Sequence, residues 1–374
     1  MTSLNKKALL VHAWMTGNIG DMLHTQPIIK YLQKKGYKVH LSGYYPKESY
    51  EWKKIIKSID AFYKENVVRD YDRIKRKKIF SQYEKVIFVP GPYISNIDKK
   101  RKEAAFTDIE ILSELPQTKC ILAGHSFSML NKEDFKILKK ADFIVAREIE
   151  SWNYLKKNDC KAILSADLAF LYLEEMYKSK ETGRIANERN DKKLCFLRHD
   201  NLKVEKLFGI SKNNLIKTMK KIINCDFLQL RDKIKTIIKI SLEKIFSKKL
   251  KNTEISKISL KGINQDNKID INVETCDFAT SDELKDNQKM GKVCLINNYK
   301  FINCNTVQKL IEVILKYNVI ITDRYHPAIV SFYFGKETIC LPSKNDLKMR
   351  GLVLMIKKYS IENIIKLAKN SLTW

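Results

Sequence analysis

The sequence predicts a doubly wound α/β protein built in two units. Short, near-continuous apolar runs recur between lysine-bearing helical stretches, a polar segment interrupts them near the middle, and the alternation then resumes. Runs that are apolar throughout mark parallel strands buried on both faces of a sheet. The length of 374 residues also suits two cores, since a single core stops growing at about 250–300 residues.

In the first unit, 1–175, Ala8–Trp14 reads as a buried strand, followed by a glycine turn and a helix running through Pro27–Lys35. Further strands are expected at Lys38–Ser42, Lys85–Pro90, Cys120–Ala123 and Phe143–Ala146. Residues 176–192 turn polar and charged and read as a linker. The second unit, 193–350, has expected strands at Leu194–Arg198, Ile269–Val273, Val293–Ile296, Val319–Thr322 and Thr338–Leu341. The remainder, 351–374, reads as a closing helix (Ile361–Leu372) that packs back across the first unit.

A basic segment, 201–262, departs from this alternation. Within it, Asp232–Leu250 puts Ile234, Ile237, Ile238, Leu242, Ile245, Phe246 and Leu250 on one helical stripe, with lysines over much of the rest. Such a helix either lies on an acidic membrane or buries its stripe in the domain core. The second reading is preferred because amphipathic core helices are far commoner.

Composition narrows the function. Lys and Arg number 70 against 43 acidic residues, a formal charge of +27. The lysines are spread along the chain, so the excess reads first as a solvated surface that attracts polyanions. No zinc-finger spacing, aromatic–basic RNA motif or basic heptad region is present, so no specific nucleic-acid binding is expected. No apolar run reaches the ~18–20 residues of a membrane span, and the first residues do not form a signal peptide. A soluble chain that is not exported is expected. The eight cysteines form no C-x-x-C pair and read as reduced core residues, and the six histidines show no ligand spacing, so no metal site is expected.

Three motifs carry chemistry. Thr16-Gly17-Asn18-Ile19-Gly20-Asp21 follows the first strand. Its glycines let backbone N–H groups approach a ligand, and the helix behind adds partial positive charge. Asp21 can cap that helix or accept a hydrogen bond from a sugar hydroxyl. Alternatively, the segment is a plain βα turn. Thr322-Asp323-Arg324-Tyr325-His326 ends an apolar run abruptly at the carboxyl end of a strand, where open α/β sheets bind ligands. There Arg324 can fork onto an anion and His326 can move a proton. Arg147 and Arg198 end two other strands, and Lys344 follows the last one. Together these cations imply a cleft for an anionic ligand. Gly124 and Ser126 follow the fourth strand, and His125 between them reads as structural.

The order of these motifs resembles the polysaccharide pyruvyl transferase family over about residues 8 to 345. The matching residues are Gly-Asn-x-Gly-Asp (17–21), Gly-x-Ser (124–126), Ala-Arg-Glu-x-x-Ser (146–151), Ala-Asp-Leu-Ala-Phe (166–170), Thr-Asp-Arg-x-His (322–326) and Leu-Pro-x-Lys (341–344). Pro90-Gly91-Pro92 stands where the family often carries a glycine run, and Arg324-Tyr325-His326 replaces its Arg-Leu-His, followed by Pro327 where a small residue is usual.

The resemblance implies a glycosyltransferase-B-like fold, two Rossmann-like domains facing a cleft. It also implies transfer of pyruvate from phosphoenolpyruvate to two hydroxyls of a sugar, forming a ketal on a cell-surface polysaccharide or its precursor. Phosphoenolpyruvate is the donor substrate and no cofactor is expected. The acceptor is a sugar or a lipid-linked oligosaccharide, and the location is cytoplasmic, with peripheral contact at the inner membrane face. In this reading His326, Arg147 and Lys344 are catalytic: Arg147 and Lys344 hold the donor's anionic groups, while His326, oriented by Asp323, donates a proton or stabilises phosphate. Gly17, Asn18, Gly20, Asp21, Gly124, Ser126, Arg198, Asp323 and Arg324 line the substrate site. A nucleotide-sugar glycosyltransferase of the same architecture and a non-catalytic binding protein are the rival readings.

Overall fold

The computed structural model describes residues 6–14, 19–44, 50–64, 72–95, 99–178, 193–196, 259–264, 267–272, 276–280, 301–304, 306–341 and 346–374. Two seven-stranded sheets organise them.

The first sheet is formed by β1 (Lys7–Trp14), β2 (Lys38–Tyr44), β3 (Ala61–Lys64), β4 (Lys85–Phe88), β5 (Lys119–His125), β6 (Phe143–Ala146) and β7 (Ile163–Leu164). Their order is β3-β2-β1-β4-β5-β6-β7, all parallel. Helices α1 (Ile19–Lys34), α2 (Tyr50–Lys57), α3 (Arg73–Phe80), α4 (Lys99–Ser113), α5 (Lys132–Leu138), α6 (Ile149–Lys157) and α7 (Ala169–Tyr177) alternate with these strands. On β1, Ala8 and Leu10 enter one core cluster while Leu9 and Val11 enter the other, so both faces are covered. This is why the strand reads as a continuous apolar run. Strand order reverses between β1 and β4, which puts the residues after β1 at the switch point where such sheets bind ligands.

The second sheet comprises β8 (Lys193–Phe196), β9 (Ser259–Asn264), β10 (Asn267–Asn272), β11 (Cys276–Thr280), β12 (Phe301–Asn303), β13 (Val319–Thr322) and β14 (Glu337–Cys340), in the order β10-β9-β14-β13-β8-β11-β12. It carries α8 (Val307–Leu315) and α9 (Tyr325–Tyr333). Thr306 caps α8, its hydroxyl accepting from the Lys309 amide at 3.1 Å. Val307, Leu310, Ile311 and Ile314 of that helix are buried at helical spacing.

The chain returns to the first sheet through α10 (Leu347–Lys358), which packs on α6, and α11 (Ile361–Asn370), which packs on α7. The expected single closing helix is thus two. Tyr359 leaves helical geometry (φ −128°) and Ser360 caps the second helix by accepting from the Asn363 amide at 3.3 Å. The helix does fold back: Ser165 Oγ donates to Ser371 Oγ at 2.8 Å.

Other departures have local causes. β3 and β7 are short edge strands with partly exposed residues, too brief to stand out as apolar runs. The expected strand at Ile269–Val273 is β10, but it runs antiparallel to β9, a pairing that a two-residue separation (Asn264 to Asn267) imposes. β11 and β12 are too short, and carry too many polar residues, to stand out as apolar runs. α7 extends to Tyr177, into the start of the expected linker. The Asp232–Leu250 stripe and the strand at Val293–Ile296 lie outside the described residues. Among the described residues no helix is long and apolar enough to cross a membrane, and Cys120, Cys160, Cys195, Cys304 and Cys340 are buried free thiols.

Gly351 marks where α10 meets α6. A Cβ there would lie 2.4 Å from Glu148 Cγ, a fully buried side chain with nowhere to retreat. Gly351→Ala is expected to lower unfolding free energy by ~1–3 kcal/mol, read as an earlier urea midpoint.

Candidate functional site

Each sheet delivers a polar turn to the cleft. In the second sheet, Thr322 ends β13 and its hydroxyl donates to the Phe196 carbonyl on β8 at 3.0 Å while accepting from the Arg324 amide at 2.9 Å. The Asp323 amide also donates to the Phe196 carbonyl, at 3.1 Å. The turn is therefore pinned to two strands before α9 begins at Tyr325. Pro327 sits in the first turn of α9, where its missing N–H needs no partner. Tyr325 and His326 start the helix and face the first sheet.

In the first sheet, β6 ends in Arg147. Its Nε donates to Ser126 Oγ at 2.9 Å and its Nη1 to Asp167 Oδ2 at 3.0 Å. Gly124, at φ +77°, adopts a left-handed conformation that favours glycine, and a Cβ there would lie 3.9 Å from Arg147 Cβ. Glu148 begins α6 and accepts from the hydroxyls of Ser151 and Ser126. Asp167 Oδ1 accepts from the Ala169 amide at 2.9 Å, capping α7. The Arg147 guanidinium lies 4.7 Å from the Tyr325 ring centre, and Lys348 Nζ lies 5.7 Å from it.

The two turns meet on α1. Gly20 approaches so closely that a Cβ there would lie 1.7 Å from His326 Nδ1. One turn later on the same face, the His24 ring stands 5.4 Å from the His326 ring at 61°. Asp21 Oδ1 is 3.7 Å from His24 Nε2. His24, Asp167 and His326 offer ligand atoms that all lie within 4.8 Å of one another.

Burial sets the protonation states. It pushes Asp21 up to about 7 although Arg101, Arg147 and Lys348 pull it down. It likewise raises Glu148 to about 7 against the pull of Arg147 and its two serine hydrogen bonds. It lowers His24 to about 4 and holds His326 well below the usual imidazole range, with Asp167 opposing in both cases. Burial also disfavours charge on Arg147 and Asp167. For Arg147, Tyr325, Asp167 and Glu148 outweigh it; for Asp167, Arg147, His326 and His24 do. At neutral pH the centre thus holds a charged Arg147–Asp167 pair, neutral imidazoles and two half-protonated carboxyls.

Glu148 gives a pH prediction. A folded value of about 7 exceeds the unfolded 4.5, so the stability it contributes is complete below pH 4.5 and lost as pH rises to about 7. Glu148→Gln removes this loss. Its melting temperature minus that of the parent should rise from pH 5 to pH 7.5 and then level off, as read by thermal scans at several pH values.

Of the residues singled out from sequence, His326, Arg147, Gly20, Asp21, Gly124 and Ser126 converge here. Gly17, Asn18, Arg198 and Lys344 lie outside the described residues. Asp323 is buried beside Arg324, 3.8 Å from its Nε, and the carboxylate that acts most strongly on His326 is Asp167. His125 is buried and hydrogen-bonds Tyr93 at 2.9 Å. Sequence reasoning passed over His24 and Lys348, and gave Glu148, Asp167 and Tyr325 no role although each lies within a motif. For His24 a signal existed: it stands four residues after Gly20 and three after Asp21, one helical face behind the glycine turn. A separate groove of about 540 Å³ lies away from this cluster, lined by Tyr31, Leu171, Glu174, Lys178 and Lys369 among others.

The ordered strand-end turns carry a family signature. The family model for polysaccharide pyruvyl transferases matches residues 18–345. The chain belongs to the polysaccharide pyruvyl transferase family. No curated protein matches it significantly. Among solved structures, the UDP-GlcNAc 2-epimerase from Methanocaldococcus jannaschii is similar at 10% identity, covering 98% of this chain and 92% of that one with a TM-score of 0.52. A functionally uncharacterized protein from Klebsiella pneumoniae shares 15% identity over 96% of this chain and 92% of its own, with a TM-score of 0.44. MurG from Acinetobacter baumannii shares 9% over 98% and 91%, with a TM-score of 0.43. The fold of this pyruvyl transferase family member is the glycosyltransferase-B type, two Rossmann-like sheets with the polar cluster between them.

Proposed function

We propose that this protein transfers pyruvate from phosphoenolpyruvate to two hydroxyls of a sugar in a cell-surface polysaccharide or its precursor, closing a cyclic ketal. The observation that carries this reading is the cluster itself. Arg147, held charged between Asp167 and Ser126, meets His326 and Asp21 where the strand ends of two sheets converge. A donor with a carboxylate and a phosphate needs cations near a group that can give a proton.

The chemistry balances as follows. A proton adds to the methylene carbon, one sugar hydroxyl bonds to the adjacent carbon, phosphate leaves, and the second hydroxyl completes the ketal. Of the two hydroxyl protons, one is accounted for on the new methyl group and the other on phosphate. Asp21, half-protonated at neutral pH and partly exposed, supplies the first proton. Arg147, with Lys344 from the Leu-Pro-x-Lys motif, supplies positive charge for the anionic groups, and neutral His326 acts on the phosphate. The reaction takes place in the cytoplasm in this reading, with peripheral contact at the inner membrane face when the acceptor is lipid-linked.

Ligand-induced thermal stabilisation tests it. Phosphoenolpyruvate at 100 times its dissociation constant should add about 2.7 kcal/mol, and Lys344→Met should abolish that gain. Stabilisation by nucleotide sugars alone would overturn the reading, as would phosphoenolpyruvate stabilisation without phosphate release on any sugar acceptor.

A further inference from the structure

We propose that His24, Asp167 and His326 bind one divalent transition-metal ion at the junction of the two sheets. The inference is read from ligand geometry and shares His326 with the pyruvyl-transfer reading.

The three side chains come from α1, from the turn before α7 and from α9, so their convergence is a product of the fold. Their ligand atoms lie within 4.8 Å of one another. In a tetrahedral site with bonds of about 2.1 Å, neighbouring ligand atoms stand about 3.4 Å apart, so small side-chain rotations close the set. Both ring nitrogens of His24, and Nε2 of His326, are buried and have no hydrogen-bond partner among the described residues. Buried polar atoms are almost always satisfied, and an orphan is most simply answered by a bound water or ion. Here the orphans lie beside a carboxylate.

The electronic state suits a metal. Burial keeps both imidazoles neutral at pH 7, with lone pairs available. Asp167 remains ionised, and its two oxygens are oriented by the Ala169 amide and by Arg147 while each keeps a second lone pair. Arg147 repels a cation, but two carboxyls offset it. The Asp21 carboxyl, 3.7 Å from His24 Nε2, and the Glu148 carboxyl, 3.7 Å from Arg147 Nε, both lie beside it. Imidazole and carboxylate ligands suit zinc, manganese or cobalt. Three protein ligands leave at least one position for water or a substrate oxygen. The sequence pattern could not disclose this site, because positions 24, 167 and 326 have no ligand spacing along the chain.

The test uses the full chain without a polyhistidine tag, stripped with EDTA and titrated with Co²⁺ and Zn²⁺. The expected result is one ion per chain and a visible Co²⁺ absorption without thiolate charge transfer. His24→Gln and Asp167→Asn should each weaken binding by about 10–100-fold, with circular dichroism reporting whether they fold. Should either variant unfold, electron paramagnetic resonance of the Cu²⁺-loaded parent decides, since it must show coupling to two imidazole nitrogens. Absence of binding to the parent, unchanged affinity in folded variants, or thiolate or single-nitrogen ligation would each overturn the proposal. Metal binding without phosphoenolpyruvate stabilisation would keep this site and remove the pyruvyl-transfer reading; the converse would do the reverse.

Discussion

Arg147→Met is expected to destabilise the fold by ~3–5 kcal/mol, the cost of leaving a buried carboxylate without its partner. The Arg147 and Asp167 side chains are 2% and 0% exposed, so water cannot take over when the guanidinium is lost. Ser126 loses a donor, and the Tyr325 ring loses the cation 4.7 Å from its centre. Asp167 would then take up a proton more readily, so the deficit should grow from acid to neutral pH. The carboxyl stays neutral at low pH and must be buried charged at high pH. Urea unfolding at pH 5 and pH 8 measures both effects. Adding Asp167→Leu should recover part of the loss, because removing both charges is cheaper than removing one. A double variant no more stable than Arg147→Met alone would show that the pair is not coupled as the 3.0 Å bond implies.

The second large effect is expected from a single methyl group. In Gly20→Ala the new carbon would lie 1.7 Å from Nδ1 of His326 and 2.4 Å from Cγ and Cε1. These are ring atoms close to the backbone of α9, so the imidazole cannot swing aside as a long side chain would. Either the ring leaves its position or α1 and α9 separate. A displacement of about 1 Å at a reacting group can cost 10²-fold in rate, and overpacking costs ~1–3 kcal/mol in stability. The combined Gly20→Ala/His326→Ala variant should regain stability, since the methyl then has room, but not activity. Phosphate release from phosphoenolpyruvate with a sugar acceptor measures the rate. A Gly20→Ala protein with full activity would show that His326 can be moved without consequence.

Much of this centre was visible in the sequence because each strand end announces itself locally. Val145-Ala146-Arg147 and Ile321-Thr322-Asp323 are buried runs that stop on charge, and parallel sheets collect such ends on one edge. The parallel core of both sheets was readable for the same reason: strands covered on two faces are apolar at every position. What stayed hidden depends on distance through space. His24 reads as one polar residue in an amphipathic helix until α9 is laid against it. Asp167 was noticed only within a motif, and its hold on Arg147 joins residues twenty positions apart. The edge strand β7 was obscured because exposure relaxes the demand for apolar side chains.

The path of the chain between the two sheets has a mechanical consequence. The chain leaves the first sheet after α7 and returns to it through α10, so the sheets are joined by two covalent crossings. Two chain crossings restrict relative motion of the sheets more than one would, and favour rotation about the line through them. α7 lies along this seam, touching α1, α9 and α11, with Tyr333 Oη donating to Glu174 at 3.2 Å. Side chains near the seam barely travel during such a rotation, whereas those farther out sweep widely. Rotation about that line is one angle, which a single pair of spectroscopic labels spanning the outer edges would read.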